Sequence, residues 1–189
     1  MMLARFAHRV ATAALIVAAG LAAPALARQD DARLDGLFRT LLTSPAGETA
    51  EAVEDEIWSI WLEHPGHDVA TLMTAGVQLL HKDDFTAALG LFDRIVALAP
   101  TWAEGWNKRA NAHYLLGDFP AAVADIRHTL LLEPRHFAAL AGLGLVYLAL
   151  DEPAGALKAF EAALAINPHM EGVREQVDTL RQKLAGAPL

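Results

Sequence analysis

A period of 34 residues governs most of this chain. Pro100, Pro134 and Pro168 stand 34 apart, and the segments they close align column by column. Leu72, Trp106 and Leu140 share a column, as do Gly76, Ala110 and Gly144, then Ala88, Ala122 and Ala156, then Phe92, Ile126 and Phe160. Small residues recur where two helices approach closely, and bulky apolar ones recur where they interlock. Each proline falls just beyond a helix end, where its missing N–H does least harm. The stretches HKDDF, LGDFP and LDEPA are mid-repeat turns between paired helices, and Pro120 and Pro153 suit the first turn of the second helix of their pairs.

With these columns in place, residues 69–168 resemble three consecutive tetratricopeptide repeats, 69–100, 103–134 and 137–168. The large column at Trp106 and Leu140, the Gly/Ala column, Tyr147, the alanines, the Phe/Ile column and the closing prolines carry the resemblance. Thr74-Ala75-Gly76 and Lys108-Arg109-Ala110 lack the leucine that Leu143 keeps ahead of the small residue, and His113 occupies the column of Tyr147. The resemblance implies an all-α fold, a right-handed superhelix (α-α solenoid) of antiparallel helix pairs. The run AEGWNKRA, with EPRHFAALAGLG, also resembles a group of small exported bacterial repeat proteins.

The flanks extend the pattern. Leu34, Leu37, Phe38, Leu41 and Leu42 form a helical stripe, TSPAGET interrupts it, and Val53, Ile57, Ile60 and Trp61 resume one before Pro65. Residues 28–65 are therefore expected to be a degenerate fourth helix pair, with Leu37, Leu41, Ile57 and Ile60 in the equivalent columns. Residues 169–189 are expected to supply a C-terminal capping helix and tail: Met170, Val173, Val177, Leu180 and Leu184 give it one apolar face to close the last repeat.

Residues 1–27 read as a secretory signal peptide. Arg5 and Arg9 open it, Ala11 to Ala23 is apolar, and Ala25-Leu26-Ala27 is an A-x-A site ahead of Arg28. The apolar run is shorter than the roughly 20 residues of a membrane-spanning helix. Cleavage would remove two arginines and no acid, leaving 13 Lys plus Arg against 23 Asp plus Glu. Such an acidic chain is a poor match for nucleic acid, whose phosphates need a cationic surface. With no cysteine there is no disulfide and no lipid attachment point at the cleavage site. Periplasmic location follows as the expectation, with no integral membrane segment after cleavage.

The first helix of each pair lines the concave side of such a stack. Asn107, Asn111 and Tyr114 follow i, i+4, i+7 along it, with Glu104 and Lys108 beside them, while Trp106, Ala110 and His113 face the partner helix. The counterparts of the polar set are Met73, Thr74, Val77 and Leu80 in the preceding repeat, and Ala141, Gly142, Leu145 and Leu148 in the following one. Asparagines bond peptide backbone and apolar walls accept side chains, so Asn107, Lys108, Asn111, Tyr114, Met73, Val77 and Leu145 are the candidate peptide-binding residues. The alternatives are that these residues are simply solvated, or that the groove is filled by the chain's own N-terminal segment or by a second copy. Eukaryotic chaperone adaptors of this repeat type hold a C-terminal carboxylate with Lys, Arg and Asn from adjacent repeats. Here Ala70, Met73, Ala138 and Gly142 bring no cation, which argues against that clamp.

No short signature for a nucleophile, zinc or phosphate is present, and no cofactor or catalytic residue is expected. Glu51, Glu54, Asp55 and Glu56 fall in the early turns of a helix starting near Thr49, where the backbone dipole stabilises negative charge, so they read as a solvated acidic face. Glu63, His64 and His67 could approach a metal but lack a fourth ligand. His113 and His136 read as structural. The expected function is a non-catalytic scaffold of the bacterial envelope that holds an extended partner segment. The alternative is an assembly subunit, such as a homodimer, whose apolar groove is filled by a sister chain.

Overall fold

The computed structural model describes residues 31–63 and 66–186. The proposed signal peptide, and His64 of the candidate metal group, lie outside the described residues. Those residues form helices α1 (Arg33–Thr43), α2 (Glu48–Trp61), α3 (His67–Leu80), α4 (Phe85–Leu98), α5 (Ala103–Leu115), α6 (Phe119–Leu132), α7 (Phe137–Ala149), α8 (Pro153–Ile166) and α9 (Glu171–Ala185), with no strand among them.

Helices α3 to α8 are the three repeats, packed in chain order, and α9 covers the open face of α8. The turn inside each pair uses the same device three times. Asp83, Gly117 and Asp151, each 34 residues from the next, have φ of 58°, 78° and 55°. This is the left-handed region that glycine enters freely and that Asp tolerates through its short polar side chain. Asp84 and Asp118 then cap α4 and α6, accepting from the backbone N–H of Ala87 and Ala121.

Within each pair the small column is matched to the ring opposite. A Cβ added at Gly76 would lie 2.5 Å from Phe92, and one at Gly144 would lie 2.4 Å from Phe160. In the middle repeat the partner is the slimmer Ile126, and Ala110 is accommodated beneath it. Phe92, Ile95, Ala122, Ala156 and Phe160 are buried along the axis of the stack. Val177 and Leu180 of α9 join Phe160 in the last apolar cluster.

The N-terminal pair forms over the expected residues, but it does not continue the stack as expected. It lies across the turns that join consecutive repeats, with Leu34, Leu41, Ile57 and Ile60 clustered with Phe137 and packed by Ile166 and Met170. Trp102 Nε1 donates to the Trp61 carbonyl at 2.9 Å, Arg135 donates to Asp35 at 2.6 Å, Asn167 donates to Glu54 at 2.8 Å, and the His169 ring meets the Leu41 carbonyl at 2.9 Å. The reason is steric. Where α5 presents Gly105 and α7 presents Ala139 to the preceding pair, α3 presents Thr71, and where α4 offers Val96, α2 offers Trp61. The Gly105 position leaves only 2.9 Å between an added Cβ and Ile95. Threonine and tryptophan in those columns cannot come that close.

Candidate functional site

The middle repeat carries a buried carboxylate. Glu104 sits in the first turn of α5, 1% exposed, where the helix dipole favours negative charge. His136, 0% exposed, caps α7: its Nδ1 accepts from the Ala139 N–H at 3.2 Å. That bond places the ring proton on Nε2, which faces Glu104 Oε2 at 3.1 Å. Asn107 Nδ2 donates to the same oxygen at 2.9 Å, and the Lys108 ammonium lies 3.0 Å from Oε1. Burial by itself would raise the Glu104 pKa. The His136 hydrogen bond and the Lys108 charge outweigh it and hold the carboxyl at about 2. Trp61 of α2 stacks on the His136 ring, 4.3 Å between centroids and 8° from parallel.

Beside this network α5 and α7 enclose a cleft of about 290 Å³. Asn107, Lys108, Asn111 and Tyr114 line its α5 side, Ala138, Ala141, Gly142 and Leu145 its α7 side, and Ile126 its base. Trp58 of α2 and Met170 close one edge. The N-terminal pair thus forms a wall of the cleft and leaves its length open. Trp58 is oriented edge-on to Phe137 and donates from Nε1 to Glu54 at 3.3 Å.

The candidate residues divide by location. Asn107, Lys108, Asn111, Tyr114 and Leu145 line the cleft together. Met73 and Val77 do not: Met73 is buried and Val77 packs on the same cluster around Phe92, in the first repeat. Asn107 and Lys108 also differ from the expectation of free groups, since Asn107 donates to Glu104 and Lys108 is ion-paired with it. Asn111 is exposed and makes no side-chain hydrogen bond among the described residues. Glu54, expected on a solvated face, is partly buried and bonded to Trp58 and Asn167.

On the opposite face of α5, Trp106 stacks on His128 at 4.0 Å and carries the Arg109 guanidinium 4.7 Å over its ring. Arg109 also bridges Asp125 of α6 and Asp93 of α4. His113 lies against Asp118 and Asp125. These contacts hold the stack together and do not reach the cleft. Among the described residues no group of three or more His, Asp and Glu is placed to hold a metal ion.

Sequence reasoning missed Trp58, Met170 and the burial of Glu104. One signal was available for the last: Glu104 is the charged member of a column whose other members are Ala70 and Ala138. A carboxylate in an alanine column is buried unless the repeat opens there, and buried it needs partners.

A family model described as tetratricopeptide repeat matches residues 107–171. A TPR repeat-containing protein of Rhizobium etli is 34% identical over 154 residues, covering 82% of this chain and 76% of that protein. Among solved structures, the first TPR domain of Spaghetti (RPAP3), bound to the HSP90 peptide SRMEEVD, superposes with a TM-score of 0.60 at 20% identity, over 63% of this chain and 94% of that one. The Yersinia enterocolitica type III secretion chaperone SycD, in complex with a peptide of the translocator YopD, superposes with a TM-score of 0.57 at 11% identity, over 60% of this chain and 92% of that one.

Proposed function

Since this chain belongs to the tetratricopeptide-repeat family, we propose that it is a non-catalytic interaction scaffold and that the α5–α7 cleft holds an extended segment of a protein partner. The observation that carries this reading is the cleft itself, where the unbonded amide of Asn111 stands opposite the apolar wall of Ala138, Ala141 and Leu145. An amide supplies a donor and an acceptor to a peptide backbone, and the wall takes its side chains. Two similar folds, those of Spaghetti and SycD, are known with peptides bound, which supports a peptide as the occupant. The signal-like residues 1–27 support export, with the working form beginning at Arg28 in the periplasm.

The test is selection of unstructured peptides from a random displayed library on the immobilised chain, followed by titration of the selected sequences. Leu145→Asp, which places an uncompensated charge in the apolar wall, should abolish binding with the thermal melt retained. Asn111→Ala should weaken it by about 1–3 kcal/mol, the range for a lost hydrogen bond at an interface anchor. Asn107→Ala is a poorer probe, because it also removes a donor from buried Glu104. Selected peptides whose affinities ignore both Leu145→Asp and Asn111→Ala would refute the assignment.

A further inference from the structure

Gly142 and Gly144 lie two residues apart in α7 and so face different sides of the helix, and packing requires only one of them to be glycine. A Cβ at Gly144 would collide with the Phe160 ring, whereas one at Gly142 would meet nothing closer than Ile126 Cδ1 at 3.9 Å, an ordinary contact. Glycine within a helix is destabilising relative to alanine, so Gly142 carries a penalty that the fold does not explain. Its location does: Gly142 lies on the α7 wall of the cleft, and the missing side chain leaves the space between Trp58 and Leu145 open.

The charges around that space are unequal. The Lys108 ammonium is already opposed by the Glu104 carboxylate at 3.0 Å, so the α5 side brings no net positive charge. Past Ala141, Leu145 and Met170 the cleft runs into a second depression toward α9, walled by Glu54 and Glu171. Glu54 accepts only from the neutral donors Trp58 and Asn167, and neither glutamate has an ion pair among the described residues. These two carboxylates, with no ion-pair partner among the described residues, flank the exit of an apolar pocket, with the His169 ring beside them and Arg174 bordering Glu171 on its far side.

We propose that the cleft selects an extended peptide bearing one large aliphatic side chain, seated over Gly142 between Trp58 and Leu145, and a Lys or Arg that reaches Glu54 and Glu171. This rests on the peptide-binding reading above and adds to it the class of peptide. The wall from the N-terminal pair makes Trp58 a specificity residue, and the pocket's charge disfavours an acidic or carboxyl-terminal anchor.

The probes are three heptapeptide amides, acetyl-Gly-Ser-X-Ser-Gly-Z-Gly, with X and Z being Leu and Lys, Leu and Glu, or Asp and Lys. Each is titrated into the ¹⁵N-labelled full chain at up to millimolar concentration, following the backbone amides of Asn111 and Gly142. The Leu/Lys peptide should bind about tenfold or more tighter than the Asp/Lys peptide, as expected when a charge is forced into an apolar pocket. It should also bind several-fold tighter than Leu/Glu, roughly the scale of exposed ion pairs, and that second difference should vanish in a Glu54→Gln/Glu171→Gln chain. Gly142→Leu, which fills the pocket, should abolish the shifts. Gly142→Ala should raise the melting temperature and weaken binding, a combination that a purely structural glycine would not give. Equal binding of all three peptides at the same amides would overturn the proposed selectivity and leave peptide binding standing. Amides unmoved by all three would overturn it too, and the library-selected peptides would then decide whether the cleft binds anything.

Discussion

The repeat pairs and the N-terminal pair are both antiparallel helix hairpins with apolar stripes, yet they are held by different means. Repeat helices approach until backbone meets ring, as Gly76 does under Phe92 and Gly144 under Phe160. The N-terminal pair, with Thr71 and Trp61 at its junction with the repeats, meets them through side chains instead: Trp61 onto His136, Trp58 onto Phe137, and Glu54 accepting from Asn167. Close packing propagates a stack, whereas side-chain bridging attaches a hairpin at an angle and leaves space beneath it. The cleft is that space, which ties the binding reading to a packing failure in two columns.

Truncating one ring on each side of this contrast should give the largest effects. Phe160→Ala and Trp61→Ala each remove a fully packed aromatic and should each cost about 3–5 kcal/mol. They should differ in where the loss appears. Phe160→Ala should lower amide hydrogen-exchange protection throughout α7, α8 and α9, while Trp61→Ala should expose residues 33–61 and leave α4 to α8 protected. Equal loss of protection across the chain in both variants would mean that the N-terminal pair is an integral part of the stack.

Acid should act next, and on the attached hairpin's floor. The Glu104 carboxyl has its pKa lowered from 4.5 to about 2 in the folded chain. A depressed carboxyl stabilises the fold above the unfolded value, and that contribution is lost as pH falls through the folded one. The window therefore runs from about pH 4.5 down to about 2, and its depth is about 3 kcal/mol. Denaturant midpoints for the parent chain and Glu104→Gln should show the variant less stable at neutral pH and its pH slope flattened within that window. A parallel slope in both chains would show that Glu104 is not the group responsible.

Gly144→Ala is the sharpest single test of close packing. Its Cβ cannot fit under Phe160 without a shift, and overpacking of this kind costs about 1–3 kcal/mol. The same change at Gly142 should stabilise the helix by up to about 1 kcal/mol. Thermal melts of the two variants should move in opposite directions.

The repeats were legible because each is written three times. Proline spacing, the Gly/Ala column and the mid-repeat turns constrain one another, so a local departure such as His113 for tyrosine could not mislead. The site was legible in part. Spacing along α5 places Asn107, Lys108 and Asn111 on one face whatever their partners, and the structure keeps them there. What periodicity could not convey is how the N-terminal pair meets the rest, since that depends on Thr71 and Trp61 being too large for positions whose tolerance only the stack defines. The same unforeseen contact brought Trp58 to the cleft and buried His136 over Glu104, which turned two expected ligand groups, Asn107 and Lys108, partly inward.

The smallest expected effect compares two arginine clamps. Arg109 joins three repeat helices, with its bonds to Asp125 at 2.7 Å and Asp125 buried to 3%. Arg135 joins α1 to the turn before α7, bonding the buried Glu133 and the exposed Asp35, and lies 4.5 Å over the Phe38 ring. Removing Asp35 takes away only the solvent-facing arm of that clamp, for Glu133 and Phe38 still hold the guanidinium. Asp35→Asn should therefore cost no more than about 0.2–1 kcal/mol, and the difference should fade in high salt. Asp125→Asn leaves Arg109 facing a neutral amide inside the stack and should cost more, with little salt dependence. Denaturant midpoints measured at low and high ionic strength separate the two cases. Should Asp35→Asn prove as costly as Asp125→Asn, the N-terminal pair would be fastened as firmly as the repeats, and side-chain bridging would be no weaker a joint than close packing.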